Sequence, residues 1–166
     1  MYQRILVPID GSECSDKGLD EALRLARLSG GSVRLIHVVD PLKHVPGYVS
    51  YAVYSTDLVP RMKEEGERLL QRARERAEGA GVKAETRMFI DAAAVRLCDL
   101  VAEQATSWKA DLIVIGSHGR RGLERVLLGS DAERVLRVAP VPVLLVKATA
   151  STPQDAGVSP RVAIEA

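Results

Sequence analysis

Short apolar runs alternate with segments of helical periodicity over most of the chain. Each run has the length of a strand, and in the segments between them apolar residues recur every three or four positions, as on one face of a helix. Turn residues such as Asp10-Gly11-Ser12 and Gly30-Gly31 separate the two kinds of segment. The pattern predicts the order β-α-β-α-β-α-β-α-β, with strands at 5–9, 33–39, 82–90, 111–115 and 141–146.

The predicted first, second, fourth and fifth strands are almost entirely apolar, which is typical of strands covered on both faces. Because helical segments alternate with these strands and parallel crossovers are right-handed, we expect a doubly wound α/β domain with a parallel sheet. The third strand is more polar and is expected at or near a sheet edge. Between 43 and 57 the periodicity is lost among Pro, Gly, Tyr and Ser, which predicts a long loop.

The composition is that of one globular domain. Of 166 residues, 46% are hydrophobic and 27% are charged, values that suit a packed core and exclude general disorder. We assign 1–147 to the domain and expect 148–166, rich in Ala, Ser, Thr and Pro, to be a poorly ordered tail.

Charge and cysteine content narrow the function classes. A net charge of +1 gives no support for binding to nucleic acid or to an anionic membrane. The chain also lacks an apolar run of about 18 residues, the length that a membrane span needs. Cys14 and Cys98 are too few and too far apart for a disulfide framework or a zinc site, and 1–7 does not resemble a signal peptide. These observations indicate a cytoplasmic protein with reduced thiols.

Two predicted strands end in segments that could bind a ligand, since open parallel sheets bind ligands beyond the carboxyl ends of their strands. The first segment is Pro8-Ile9-Asp10-Gly11-Ser12. The second begins after the fourth strand with Gly-Ser-His-Gly-Arg-Arg-Gly at 116–122 and continues with Leu-Gly-Ser-Asp at 128–131, a Gly-x2-Gly-x9-Gly-Ser spacing.

The second segment has the chemistry of a phosphate-binding loop. Gly116 and Gly119 would let backbone amides approach an anion closely. Gly129 and Ser130 would begin a helix, and the N-terminus of a helix favours phosphate. Arg120 could add charge-assisted hydrogen bonds. The segment has neither the Gly-Lys-Ser/Thr of a Walker loop nor a Gly-x-Gly-x-x-Gly motif, but it predicts a bound nucleotide.

Several residues have more than one interpretation. Asp10 could face the ligand or cap the first helix, a role that also suits Ser12. His118 has no identifiable nucleophile or orienting carboxylate, so we interpret it as a loop histidine and predict no catalytic residue and at most slow hydrolysis of a bound nucleotide. His37 is predicted to be a satisfied strand residue, and Trp108 a packing residue. Three scattered histidines make no metal pattern, and the tyrosines at 48, 51 and 54 could cover a base or pack internally.

With these residues in view, the chain resembles the nucleotide-binding branch of the universal stress protein family over about 1–147. The likeness is carried by Ile-Leu-Val-Pro-Ile-Asp-Gly-Ser at 5–12, Leu-Ile-His-Val-Val at 35–39, Ala-Asp-Leu-Ile-Val-Ile-Gly-Ser-His-Gly-Arg at 110–120, Leu-Leu-Gly-Ser at 127–130 and Pro-Val-Pro-Val-Leu-Leu-Val at 140–146. The resemblance implies a Rossmann-like, adenine nucleotide alpha hydrolase-like sheet of order 3-2-1-4-5. It also implies binding of ATP, AMP or ADP, with Mg²⁺ or Mn²⁺ as a possible companion, and a role as a stress-response sensor or regulator.

The resemblance further implies which residues line the site. Asp10 and Val38 would lie beside the adenosine, and Gly116, Gly119 and Arg120 would hold ribose and phosphates together with the start of the last helix. The full set of implied binding residues is Pro8, Ile9, Asp10, Val38, Ile115, Gly116, Ser117, His118, Gly119, Arg120, Gly129, Ser130 and Asp131. Family members commonly form homodimers through the last strand, whose apolar edge needs covering here.

The chain departs from the family pattern at two places. Asp131 stands where nucleotide-binding members usually have a small or apolar residue, and its carboxylate would repel phosphates unless it faces away or shares a metal ion. The segment 91–94 lacks the Gly and Pro that usually open the third helix. Asp131 motivates an alternative function, a dimeric interaction module of the same fold with weak or no nucleotide binding.

Overall fold

The fold is a parallel sheet with helices on both faces. The computed structural model describes residues 2–40, 54–90, 96–117 and 129–147. Within these ranges the strands are Arg4–Pro8 (β1), Ser32–Val39 (β2), Lys83–Ile90 (β3), Leu112–Gly116 (β4) and Val143–Val146 (β5). They form one sheet in the order β3-β2-β1-β4-β5, and every neighbouring pair is parallel. The predicted fold class and strand order are confirmed, including the edge position of β3.

Of the helices that the structure describes, two cover each face of this sheet. The described helices are Glu13–Ser29 (α1), Val59–Gly79 (α2), Leu97–Ser107 (α3) and Ser130–Val138 (α4). Leu23 of α1 and Leu70 of α2 are buried in one core layer. Val101 of α3 and Val135 of α4 are buried in the other layer, on the opposite face. Because successive strand residues point to opposite faces, continuous apolar strands supply both layers, as the sequence predicts.

One part of the predicted loop is wrong. Residues 54–57, predicted as the end of a loop, belong to a π-helical turn, Tyr54–Leu58, that leads directly into α2. This turn has no apolar periodicity to mark it as helical. Pro60 is tolerated because the backbone amides in the first turn of a helix have no carbonyl partner within the helix, so the missing N–H of proline costs no hydrogen bond. The rest of that loop, the tyrosines at 48 and 51, the segment 91–94 and the predicted tail lie outside the described residues.

The ends of α1 follow the predicted signals. Ser12 is the N-cap, and its hydroxyl oxygen accepts a hydrogen bond from the Ser15 amide over 3.2 Å. Gly30 ends the helix with φ of 67°, a left-handed conformation that glycine adopts without a steric penalty. Capping at both ends fixes where the turn after β1 stops and where β2 begins.

A stacked cluster lies near the amino edge of the sheet. The Arg34 guanidinium lies 4.7 Å from the centroid of the Trp108 ring, and its Nη2 donates to Glu85 Oε2 over 2.7 Å. The hydrogen bond from Arg34 holds the pKa of the Glu85 carboxyl below its usual value. Trp108 is buried, which confirms its prediction as a packing residue.

Cys14 and Cys98 are buried free thiols on different helices. Among the helices that the structure describes, none is both long enough and apolar enough to cross a membrane.

Candidate functional site

The carboxyl edge of the sheet brings the two candidate segments together. β1 and β4 are neighbouring parallel strands, paired at Ile5 with Leu112 and at Leu6 with Ile113. Their carboxyl ends therefore meet at one edge, which is where a doubly wound sheet binds its ligands. The predicted residues His118, Gly119 and Arg120 lie outside the described residues.

Hydrogen bonds to β2 and to the first turn of α1 help to hold the turn after β1. The Ile9 amide donates to the Ile36 carbonyl over 2.8 Å, which ties the chain to β2 beyond the last residue of β1. The Asp10 amide donates to the buried Ser15 hydroxyl over 3.1 Å, and Asp10 Oδ1 accepts from the Ser12 amide over 3.0 Å. Asp10 therefore shapes the turn and does not cap α1, a role that belongs to Ser12.

Gly116 ends β4 in direct contact with the first turn of α1. A Cβ atom at Gly116 would lie 2.8 Å from the carbonyl carbon of Cys14 and 2.9 Å from its Cβ. Gly18, one turn further along α1, faces the same strand end, with an added Cβ 3.4 Å from the Gly116 amide nitrogen. The absence of a side chain at Gly116 thus lets α1 seat against β4, a reason for this glycine beyond the predicted approach of an anion.

Ser117 joins the end of β4 to the start of α4. Its amide donates to the Val146 carbonyl over 2.8 Å, and its carbonyl accepts from the Gly129 amide over 2.8 Å. Ser117 is buried, so these bonds are shielded from water. The N-terminus of α4 is therefore fixed beside the end of β4, although eleven residues of the chain separate the two along the sequence.

The first turn of α4 has both attractive and repulsive features for an anion. Gly129 is its N-cap, with extended backbone angles, and Ser130 is exposed. The helix dipole and the first amides favour a negative charge at this point. Asp131 opposes them, but its carboxylate is 47% exposed and lies 3.9 Å from Arg134 Nη1.

Comparison with known proteins identifies the family of this arrangement. The model of the universal stress protein family matches residues 1–147. The chain belongs to the universal stress protein family. A universal stress protein of Methanocaldococcus jannaschii is 40% identical over 149 residues, which cover 89% of this chain and 83% of that relative.

Solved structures of universal stress proteins share the fold. A family member from Burkholderia pseudomallei is 33% identical, with a TM-score of 0.69 over 89% of this chain and 97% of that one. A universal stress protein in complex with cAMP is 29% identical, with a TM-score of 0.62 over 87% of this chain and 97% of that one.

Other predicted site residues of this universal stress protein lie in the strands or directly after one. Ile9 and Ile115 are buried on opposite faces, so their side chains fill the two core layers. Pro8 is buried at the end of β1, and Val38 is half-buried near the end of β2, paired with Phe89 of β3. Of these four residues, Val38 alone is not fully buried.

Three contacts of the edge were not predicted. Sequence spacing marked neither the Ser15 hydroxyl under Asp10, nor the Cys14 backbone against Gly116, nor the bond between His37 and Ile9. His37 Nδ1 lies 2.8 Å from the Ile9 carbonyl oxygen, which confirms the prediction that His37 is a satisfied strand residue. Ser15 carried a signal, since it lies three residues after a cap residue, but its partner at Asp10 depends on the turn geometry.

Within the described parts of this family member, no group of three or more His, Cys, Asp or Glu side chains could hold a metal ion.

Proposed function

We propose that this chain binds an adenine nucleotide at the carboxyl edge of its sheet and acts through it as a stress-response sensor or regulator. The observation that carries the proposal is the convergence of three elements at that edge. The turn at Asp10 lies at the end of β1, Gly116 ends the neighbouring β4, and the bond from Gly129 to Ser117 brings the start of α4 to the same place. The cAMP complex of a 29% identical structure supports an adenine nucleotide as the ligand.

Each end of the site suits one part of the nucleotide. Asp10 and Val38 are the proposed neighbours of the adenosine, because a carboxylate accepts hydrogen bonds from hydroxyl and amino groups and an aliphatic side chain contacts a base. The amides of the loop after Gly116 and the first turn of α4 are the proposed phosphate ligands. Ser130 and Arg120 complete the proposed set, with a hydroxyl and a guanidinium for phosphate oxygens.

The electrostatic repulsion expected from Asp131 is small, which favours a site that binds nucleotide over an interaction module that does not. Two unit charges 4 Å apart in water interact with only about 1 kcal/mol. The Asp131 carboxylate is half exposed and already faces Arg134, so its repulsion of a phosphate group is screened. Asp131 therefore weakens binding of a highly charged nucleotide without preventing it.

The test is calorimetric titration of the protein with AMP and with ATP plus Mg²⁺. We expect binding of both, and we expect Asp131→Asn to tighten ATP binding about fivefold, the equivalent of about 1 kcal/mol. AMP carries less charge and should gain less. Glu78→Gln is the control. Glu78 is an exposed carboxylate in the last turn of α2, and it is paired with Arg74. If neither the parent nor Asp131→Asn produced heat at high protein concentration, the interaction-module alternative would replace this proposal.

A second copy of the chain is the proposed protein partner, docked along β5. β5 is an edge strand, and all four of its apolar residues are half-buried. Leu136 and Val138 of α4, the helix that precedes β5 in the chain, are exposed. An open apolar edge favours pairing with another strand.

Sedimentation equilibrium tests this partner. We expect a dimer that Leu144→Lys converts to a monomer, because a charge on the half-buried strand would have to be desolvated in the interface. Leu28→Lys is the matched control, since Leu28 is an exposed apolar residue in the last turn of α1. A monomeric parent protein, or a dimer unaffected by Leu144→Lys, would exclude β5 as the interface.

A further inference from the structure

The His37 ring lies between Ile9, the residue after β1, and helix α2. On one side its Nδ1 is 2.8 Å from the Ile9 carbonyl oxygen. On another side the ring packs against Gly66, where an added Cβ would lie 2.8 Å from Cδ2 and 3.3 Å from Nε2. The same Cβ would lie 2.9 Å from the Met88 sulfur. His37 therefore has little room to move without shifting one of its neighbours.

The hydrogen bond determines how the ring must be protonated. A carbonyl oxygen only accepts hydrogen bonds, so Nδ1 carries the proton and donates it to Ile9. The carbonyl belongs to the peptide group that joins Ile9 to Asp10. This peptide lies beyond Pro8, the last residue of β1, so its orientation depends on bonds from outside the strand.

The bonds that hold this stretch come from different elements. β2 accepts from the Ile9 amide through the Ile36 carbonyl, and α1 accepts from the Asp10 amide through the Ser15 hydroxyl. His37 supplies the bond to the Ile9 carbonyl, and its ring rests on Gly66 of α2. The His37 ring thus contacts α2 at Gly66 and bonds the peptide group with which the Asp10 turn begins.

We propose that His37 is a positioning residue that couples α2 to the nucleotide site, with Gly66 as the point of contact; this rests on the proposed function. A shift of α2 by a few tenths of an ångström displaces the ring, and with it the Ile9–Asp10 peptide. By thermodynamic reciprocity, a nucleotide that fixes the Asp10 turn also biases the position of α2. Helix α2 has 21 residues and a highly charged outer face, so it can report the bound state to a partner.

Gly66→Ala tests the coupling from a distance, because it adds one methyl group against the ring. We expect AMP affinity to fall about tenfold. Gly79→Ala is the matched control: it is the same substitution in the same helix, and its Cβ meets nothing within 4 Å. Its AMP affinity should equal that of the parent. His37→Leu, which removes the donor, should weaken AMP binding about fivefold, the effect of one hydrogen bond, and His37→Asn, which places an amide donor near Nδ1, should restore most of it.

Two measurements without nucleotide separate this inference from the proposed function. Nitrogen NMR of the His37 ring should show a protonated Nδ1 in the parent and in Gly79→Ala, with a shifted signal in Gly66→Ala. Hydrogen exchange at the Asp10 and Gly11 amides should accelerate in Gly66→Ala and His37→Leu. If exchange matched Gly79→Ala, the coupling would be overturned whether or not AMP binds. If the parent failed to bind AMP while exchange accelerated, the proposed function alone would fail.

Discussion

Replacing Gly116 with alanine is expected to lower the free energy of unfolding by about 2–3 kcal/mol and to abolish detectable AMP binding. The added Cβ would lie 2.8 Å from the Cys14 carbonyl carbon and 2.9 Å from its oxygen. These are backbone atoms in the first turn of α1, so they cannot rotate away as a side chain would. Either α1 or the end of β4 must move, and the proposed site includes the end of β4 and the turn that leads into α1. Urea unfolding followed by circular dichroism gives the stability, and AMP titration gives the binding.

Alanine substitutions at two other glycines distinguish the loss of stability from the loss of AMP binding. A Cβ at Gly31 would lie 2.8 Å from the Gln3 carbonyl oxygen, a comparable clash with backbone at the opposite, amino edge of the sheet. Gly31→Ala should therefore lose stability but keep its AMP affinity. Gly79→Ala should lose neither. A Gly116→Ala protein as stable as its parent would show that the contact between α1 and β4 relaxes without cost.

Gly116 also shows how far the sequence could predict this protein. Its place at the end of a buried strand follows from the apolar run before it, and the structure confirms the strand and its parallel neighbours. Its contact with Cys14 does not follow, because periodicity reports which face of a helix is buried but not which atoms of another element it touches. The sequence analysis considered only the thiol of Cys14, whereas its contact with Gly116 is made by its backbone and Cβ.

The turn after β1 shows the same boundary in the candidate site. The sequence left open whether Asp10 or Ser12 caps α1, since both residue types are good caps. The choice depends on the backbone path through Gly11, which has φ of 77°, and that path places Ser12 at the cap. The bond from His37 to Ile9 depends on strand order and register, which come from the assembled sheet. Local sequence signals therefore predicted which segments lie at the carboxyl edge of the sheet. The contacts between their atoms depend on long-range packing.

Trp108→Ala is expected to lower the free energy of unfolding by about 3–4 kcal/mol, the usual cost of removing a large buried aromatic side chain. Trp108 is 9% exposed and lies in the layer formed by α3 and α4. Its ring also stacks under Arg34, whose guanidinium is 4.7 Å from the ring centroid. Removal of the ring leaves a cavity. It also removes the aromatic surface on which the largely buried Arg34 guanidinium stacks, so both effects lower the stability. Urea unfolding measures the loss, and Trp108→Phe should recover more than half of it.

The same substitution should leave AMP affinity unchanged in the folded protein, because Trp108 precedes β4 and lies at the amino edge of the sheet.

The Arg34–Glu85 pair provides an internal check on the stacking. Arg34 holds the pKa of Glu85 low, so the pair contributes stability above the usual glutamate pKa and loses it as the pH falls through the lowered value. Glu85 is half exposed, so this contribution is small beside that of the ring. The loss in Trp108→Ala should therefore be nearly the same at pH 7 and at pH 4. A loss that disappeared in acid would assign the stability to the ion pair and not to the buried ring.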